Sequence, residues 1–368
     1  MKFICLQENL KKGLNIVEKI VGKNLTLPIL SNILLETDKN QLKISATDLE
    51  IGISYWCPGK IEKEGSITCP ARLLTEFINN LPNEKVLFEG KNNILEIKCK
   101  NYKTKINSES SKDFPLIPKI KEEKFININQ KILKNSLNQV VKITSLSDLK
   151  PEISGISLIT KDKSLKLAAT DRFRLAEKTI KELKDFKNIN DLAIIIPART
   201  ILEVIRILEE KDEEFVSIAF EASQIMFKIS NIKLVSRLIE GEFPSYSQII
   251  PKDFKTELIL DREEFINNIK IASLFSPKNN DIHLRIINKE GLEIISQDSQ
   301  KGENKSLLKG DLKGEDLEIS FNWRYIQDAL SLINTPEIFL GLNDESTPGV
   351  LKPVGDQSYI HLIMPIKN

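Results

Sequence analysis

Chemistry in a chain needs side chains that hold metals, cradle phosphates or move protons, and few stand here at a useful spacing. His283 and His361 are the only histidines, and none of Cys5, Cys57, Cys69 and Cys99 belongs to a C-x-x-C pair. That excludes a His-rich metal centre, a zinc ribbon and a Cys-pair redox motif, so neither metal nor cofactor is expected. Gly22-Lys23 looks like the end of a phosphate loop, but the earlier glycine is missing and Asn24 stands where Ser or Thr is needed. No G-x-G-x-x-G, G-x-S-x-G or H-E-x-x-H stretch occurs. General-base work would fall on carboxylates or lysines. The recurrent carboxylate is the Asp of Ala-Thr-Asp, at Asp48 and again at Asp171. Two equivalent copies in one chain argue against an active site. A short polar side chain at a strand end instead satisfies backbone donors in the turn that follows. No catalytic residue is expected, and the histidines and cysteines are read as packed.

The elements around Asp48 and Asp171 recur as well. Residues 27–53, LPILSNILLETDKNQLKISATDLEIGI, and 150–176, KPEISGISLITKDKSLKLAATDRFRLA, both read strand, polar turn, strand, Ala-Thr-Asp. A third copy, NDIHLRIINKEGLEIISQD at 280–298, keeps Asp298 but carries Gln297 in place of Thr. Asp48, Asp171 and Asp298 stand 123 and 127 residues apart. A repeat of about 120 residues buries its own core, so it is a domain and not a solenoid unit. A second motif recurs in phase: CPARLLTEFINNLP, IPARTILEVIRILE and FNWRYIQDALSLIN. Pro70 and Pro197 sit where a helix begins, with φ set for its first turn. The apolar positions that follow have helical spacing: Leu74, Phe77, Ile78 and Leu81; Ile201, Leu202, Ile205 and Leu208; Ile326, Ala329, Leu330 and Ile333. Earlier helices carry Leu10, Leu14, Val17 and Val21; Leu133, Leu137, Val140 and Val141; Phe265, Ile266, Ile269 and Ala272. Each repeat is therefore α+β: strand, helix, strands, helix, strands, with two amphipathic helices on mainly antiparallel sheet. Pro and charge clusters place the limits at 1–122, 123–250 and 251–368.

Opposite the apolar stripes the helix faces are basic or neutral polar. They carry Lys12, Asn15 and Lys19; Arg72, Glu76 and Asn79; Lys131, Lys134, Asn138 and Lys142; Arg199 and Arg206; Asn267 and Lys270; Arg324 and Gln327. Taken singly each is a solvated face. Six together make a weak positive surface suited to phosphates and indifferent to base sequence. The chain's net charge of +1 hides an uneven spread. Residues 1–125 carry +4, 126–250 carry +2 and 251–368 carry −5. Ends of opposite sign favour head-to-tail association, which closes into a ring if the rotation allows.

At this point the residues resemble a known family. LPILSNILLE with ATDLE, CPAR, ATDRFRLA, IIPAR, RLIEGEFPSY and the terminal IMPI look like the bacterial DNA polymerase III β subunit, the sliding clamp. The resemblance runs in order over essentially the whole chain. It implies a non-catalytic homodimeric ring of six similar domains, with helices lining a hole for duplex DNA and sheets outside. It also implies a partner-peptide pocket used by the polymerase, the clamp loader and repair proteins. Its residues would be Ile153, Thr170, Arg172, Phe173, Arg174, Leu175, Pro244, Gln248, Ile249, Leu362, Ile363, Met364 and Pro365. Family members often have Gly-His where this chain has Arg172-Phe173, and a basic residue where it has Gln248. DNA contacts would come from the helix faces (Lys12, Lys19, Arg72, Lys131, Lys134, Lys142, Arg199, Lys270) and from loops at Lys23-Asn24, Ser147-Asp148-Leu149-Lys150 and Lys278. Asn24 replaces a residue that is commonly basic. The dimer contact would join residues 99–107, with Lys100, Lys103, Lys105 and Ile106, to Leu274, Phe275 and Glu303 of a second copy.

The alternative is a three-repeat interaction scaffold that does not bind DNA. Composition sets wider limits. At 368 residues with 41% hydrophobic content the chain is globular, and no run approaches the ~18 apolar residues of a membrane span. MKFICLQENLKKG lacks the apolar core of a signal peptide, and unpaired cysteines fit a reducing cytoplasm. A cytoplasmic location without membrane partners is expected.

Overall fold

A computed structural model describes residues 1–22, 27–144, 150–181, 183–187, 191–210, 214–287 and 290–367. Six α-helices lie among them, two per repeat: α1 (Gln7–Glu18), α2 (Ala71–Asn79), α3 (Gln130–Val141), α4 (Ala198–Glu210), α5 (Arg262–Leu274) and α6 (Trp323–Leu332). Each repeat follows the expected order of strand, helix, strands, helix, strands. Asp261 caps α5 by accepting from the Glu264 amide at 2.7 Å, and Asn322 caps α6 by accepting from the Arg324 amide at 3.0 Å. Pro70 stands one residue earlier than predicted. It ends strand Ser66–Pro70 with ψ 116° and precedes the first turn of α2, so it is the cap residue and not the first helical one.

The predicted stripes face inward because 3.6-residue spacing stacks them on one side. Leu10, Leu14, Val17, Leu133, Leu137, Val140, Phe265 and Ile269 are all buried. Each such side chain contributes roughly 1.5–3 kcal/mol by leaving water. Four assignments differ. Leu202 is 54% exposed, and Val204 and Ile207 are buried in its stead. Val21, Leu81 and Ile333 lie beyond the ends of α1, α2 and α6. Gly13 lets α1 lie close on strand Ile51–Pro58, since a Cβ there would stand 2.3 Å from Tyr55 Cδ1.

The described strand pairings are antiparallel. The sheets do not stop at repeat limits, and the chain accordingly divides into two compact units rather than three. One unit holds Met1–Gln130, Lys184–Ile189 and Leu202–Leu238. It contains a five-stranded and a nine-stranded sheet, the latter joined where Ile232–Arg237 of the second repeat pairs with Ile51–Pro58 of the first. The other unit holds Lys131–Leu183, Asn190–Ile201 and Ile239–Asn368. It contains a nine-stranded and a four-stranded sheet, the former joined where Arg174–Ile180 pairs with Tyr359–Ile363.

Strand Tyr359–Ile363 carries His361, fully buried with Nδ1 3.1 Å from the Tyr359 hydroxyl. Burial first, then the Arg174 charge, pushes its pKa down to about 3. Folded His361 is neutral, whereas an unfolded histidine takes a proton near pH 6.5. Its contribution to stability is therefore complete above about pH 6.5 and is lost as pH falls toward 3. Unfolding free energy should drop by about 1.4 kcal/mol per pH unit between pH 6 and 5, and His361→Gln should remove that increment. Equal slopes in the two proteins, by denaturant titration, would refute this. His283 is held by Ser320, whose Oγ lies 2.7 Å from its Nδ1. All four cysteines are buried and free.

Candidate functional site

The Thr-Asp turns do what a short polar side chain at a strand end should. Strand Ser164–Thr170 ends on Thr170, whose Oγ1 donates to the Arg174 carbonyl at 2.8 Å and accepts from the Arg172 amide at 3.1 Å. Asp171 Oδ1 accepts from the Phe173 and Arg174 amides, both at 3.0 Å. Asp298 serves Gln300 and Lys301 alike, at 3.0 and 3.1 Å. The turn holds Arg172 at φ +79° and leaves Phe173 55% exposed.

Behind the turn, Leu175 stands opposite Leu362, and Val350 stands on the far side of Leu362. Ala168, Leu175, Tyr246, Val350 and Leu362 form one buried apolar cluster, flanked by half-buried Phe243, Ile250, Phe254 and Ile360. Met364, two residues after Leu362, is half-buried, its amide donating to the Phe173 carbonyl at 2.8 Å. Pro244, Gln248 and Ile249 are exposed on the segment that carries Tyr246. A cleft of about 350 Å³ opens beside Pro244, lined by Phe243 and Tyr246 and by the polar strand residues Ser157, Lys161 and Lys166; Leu175, Leu362 and Met364 do not line it. The arrangement is an apolar floor with an adaptable methionine and an exposed aromatic ring at its edge, which suits apolar side chains of a peptide.

Arg174 fixes one wall. Its Nε donates to Asp171 Oδ2 at 2.9 Å, its Nη1 to Asp328 Oδ2 at 2.5 Å, and its guanidinium lies 4.6 Å from the Tyr325 ring centre. Burial opposes its charge, but the bonds to Asp328 and Asp171 outweigh it and hold the pKa above the ordinary value. One expected pocket residue turns elsewhere. Strand alternation sends Ile363 to the face opposite Leu362, where it lines a small apolar void with Phe265, Phe321 and Ile326. Ile153 is buried in the 3-10 turn Pro151–Ile153, as deeply as Leu175 and Leu362 are in their strands. Pro365 is half-buried. Tyr246, Val350 and Asp328 were not anticipated. Alternation along the last strands points to Val350; nothing in the sequence points to Asp328.

On the helix faces, Lys12, Arg72, Lys131, Arg199 and Lys270 are exposed and Lys134 is half-buried; Lys19 and Lys142 are exposed one residue past the ends of α1 and α3. Lys150 and Lys278 are exposed in loops. Arg72 pairs with Glu76 at 2.8 Å. Arg206 turns inward, bonding Glu203 Oε2 at 2.8 Å and the Ile16 carbonyl at 3.0 Å, so it leaves the basic face. Lys23, Asn24, Ser147, Asp148 and Leu149 lie outside the described residues.

Comparison with known proteins finds three successive segments. The models of the DNA polymerase III β subunit match in order: N-terminal domain over residues 1–118, central domain over 127–245 and C-terminal domain over 247–367. The β sliding clamp of Bacillus subtilis is 30% identical over 380 residues, covering 100% of both chains. The chain belongs to the bacterial DNA polymerase III β subunit family. The crystal structure of the B. subtilis clamp superposes with a TM-score of 0.95 at 29% identity, covering 100% of this chain and 99% of that one. A Pseudomonas aeruginosa sliding clamp bound to griselimycin gives 0.94 at 25%, each chain fully covered. β subunits are sliding clamps, non-catalytic accessory subunits of DNA polymerase III, and this chain is of that kind.

A β subunit that closes on a second copy needs open sheet edges, and this one has them. Strand Tyr102–Asn107 ends the five-stranded sheet and strand Gly302–Leu308 ends the four-stranded one. Lys103 and Lys105 are exposed on the first, with Tyr102 at 53%. Two expected residues differ. Ile106 faces its own core at 5% exposure, and Lys100 sits in the preceding turn with φ +49°. Beside the second edge Glu303 is exposed, Leu274 is 67% exposed at the end of α5, and Phe275 is half-buried.

Proposed function

We propose that two copies of this β subunit close head to tail into a ring around duplex DNA, three repeat domains from each, meeting near residues 122 and 250. The ring tethers the replicative polymerase, and polymerase, clamp loader and repair proteins dock through an apolar peptide on the Leu175–Leu362 floor. The observation that carries this reading is the in-order match of three clamp domains over residues 1–367. The two open edges support it: lysines stand on one, and Glu303 with apolar Leu274 on or beside the other. Edges of this kind are otherwise a liability to be blunted. Dispersed basic residues suit sliding, since each phosphate contact is weak and salt-dependent. DNA contact falls to Lys12, Arg72, Lys131, Lys134, Arg199 and Lys270 on the helices, to Lys19 and Lys142 just past helix ends, and to Lys150 and Lys278 in loops, together with Lys23 and Asn24. No described helix is long and apolar enough to cross a membrane. Retention on circular against linear duplex tests the proposal, because a topological tether stays on the circle and runs off the line.

A further inference from the structure

The turn after strand Gln41–Thr47 repeats the bonds that Thr170 Oγ1 and Asp171 Oδ1 make in the pocket turn. Thr47 Oγ1 donates to the Ile51 carbonyl at 2.9 Å and accepts from the Leu49 amide at 3.1 Å. Asp48 Oδ1 accepts from the Glu50 and Ile51 amides at 3.0 and 2.7 Å. Leu49 has φ +79°, the value of Arg172. The neighbouring strand keeps register: Val235 stands opposite Gly52 as Leu362 stands opposite Leu175. The Arg237 amide donates to the Glu50 carbonyl at 3.0 Å, as Met364 donates to Phe173. Gly52, Val235, Glu50 and Arg237 therefore hold the places of Leu175, Leu362, Phe173 and Met364.

Their side chains differ in one direction. Gly52 has none, and a Cβ there would stand 2.7 Å from Ile117 Cγ2. Ile117 comes from the end of the first repeat and packs on the cluster of Ile120, Ala219, Met226 and Val235. Only about 100 Å³ stays open beside it. At the edge, Glu50 and Arg237 form an ion pair at 3.5 Å where the other site has a phenyl ring and a thioether. We propose that this site is a second peptide-type pocket that the chain fills itself, with Ile117 as its built-in apolar ligand. Each chain thereby offers partners one pocket rather than two. The inference rests on the peptide-pocket reading of the Leu175–Leu362 site.

The test is a count of fluorescein-labelled polymerase peptides bound per chain, by native mass spectrometry on the full dimer. Wild type takes one, and Leu175→Ala with Met364→Ala removes it; if that loss is not seen, the pocket reading itself fails. Ile117→Ala with Glu50→Phe and Arg237→Met restores the edge of the other site and should raise the count from one to two. The second peptide should survive Leu175→Ala with Met364→Ala. Should the triple variant misfold, Ile117→Ala alone is read in the same way. A folded dimer of either variant that still binds one peptide overturns the proposal while leaving the pocket reading intact.

Discussion

Replacing Leu175 and Met364 together by alanine weakens binding of a polymerase-derived peptide by about 10- to 100-fold, read by fluorescence polarisation. Leu175 is 3% exposed and belongs to the floor with Leu362 and Tyr246, whereas Met364, two residues after Leu362, is half-buried. Truncating a central apolar anchor of a docking site costs ~1–2 kcal/mol or more, and each 1.4 kcal/mol is tenfold in affinity. The Leu175 change also leaves a cavity, so unfolding free energy falls by about 2–5 kcal/mol. The dimer mass stays the same, because neither residue lies on an open sheet edge. Unchanged peptide affinity in a folded dimer contradicts the placement of the pocket.

Leu274→Asp turns the dimer into a monomer. Leu274 is 67% exposed at the end of α5, unusually bare for a large apolar side chain, and Phe275 beside it is half-buried. If the two residues form the apolar centre of the contact with a second copy, a carboxylate there is buried without a partner. That costs several kcal/mol at each of two symmetry-related contacts. Light scattering on the eluted peak should then give 41.9 kDa, the mass of one chain, with the melting temperature of each chain nearly unchanged. A persistent dimer places the contact elsewhere.

Much of the fold is legible because it is local. Helix stripes follow from spacing, and Thr-Asp turns from the habits of short polar side chains, so Thr170 and Asp171 bond their own turn as read. Leu202 is the exception, since a stripe of adjacent leucine and isoleucine does not say which edge of it meets the core. Pairing between distant strands is not local. Nothing in the repeats shows that Arg174–Ile180 hydrogen-bonds to Tyr359–Ile363, and that pairing assembles the pocket floor. Resemblance supplied the pocket as a stretch of chain and so took in Ile363, which strand alternation turns to the other face. The same limit hid Arg206, whose spacing placed it on a basic face while its guanidinium found the Ile16 carbonyl, 190 residues away. It hid Asp328 too, because a carboxylate on α6 that holds Arg174 has no signature of its own.

The central claim is that the protein holds DNA by enclosing it. The measurement is retention after gel filtration at moderate salt, with the clamp placed by its loader on a nicked circular plasmid and the plasmid then cut once. Enclosure predicts that wild type stays with the intact circle, leaves after linearisation, and that Leu274→Asp is never retained. Equal retention on circle and line, or retention of the Leu274→Asp monomer, would contradict it.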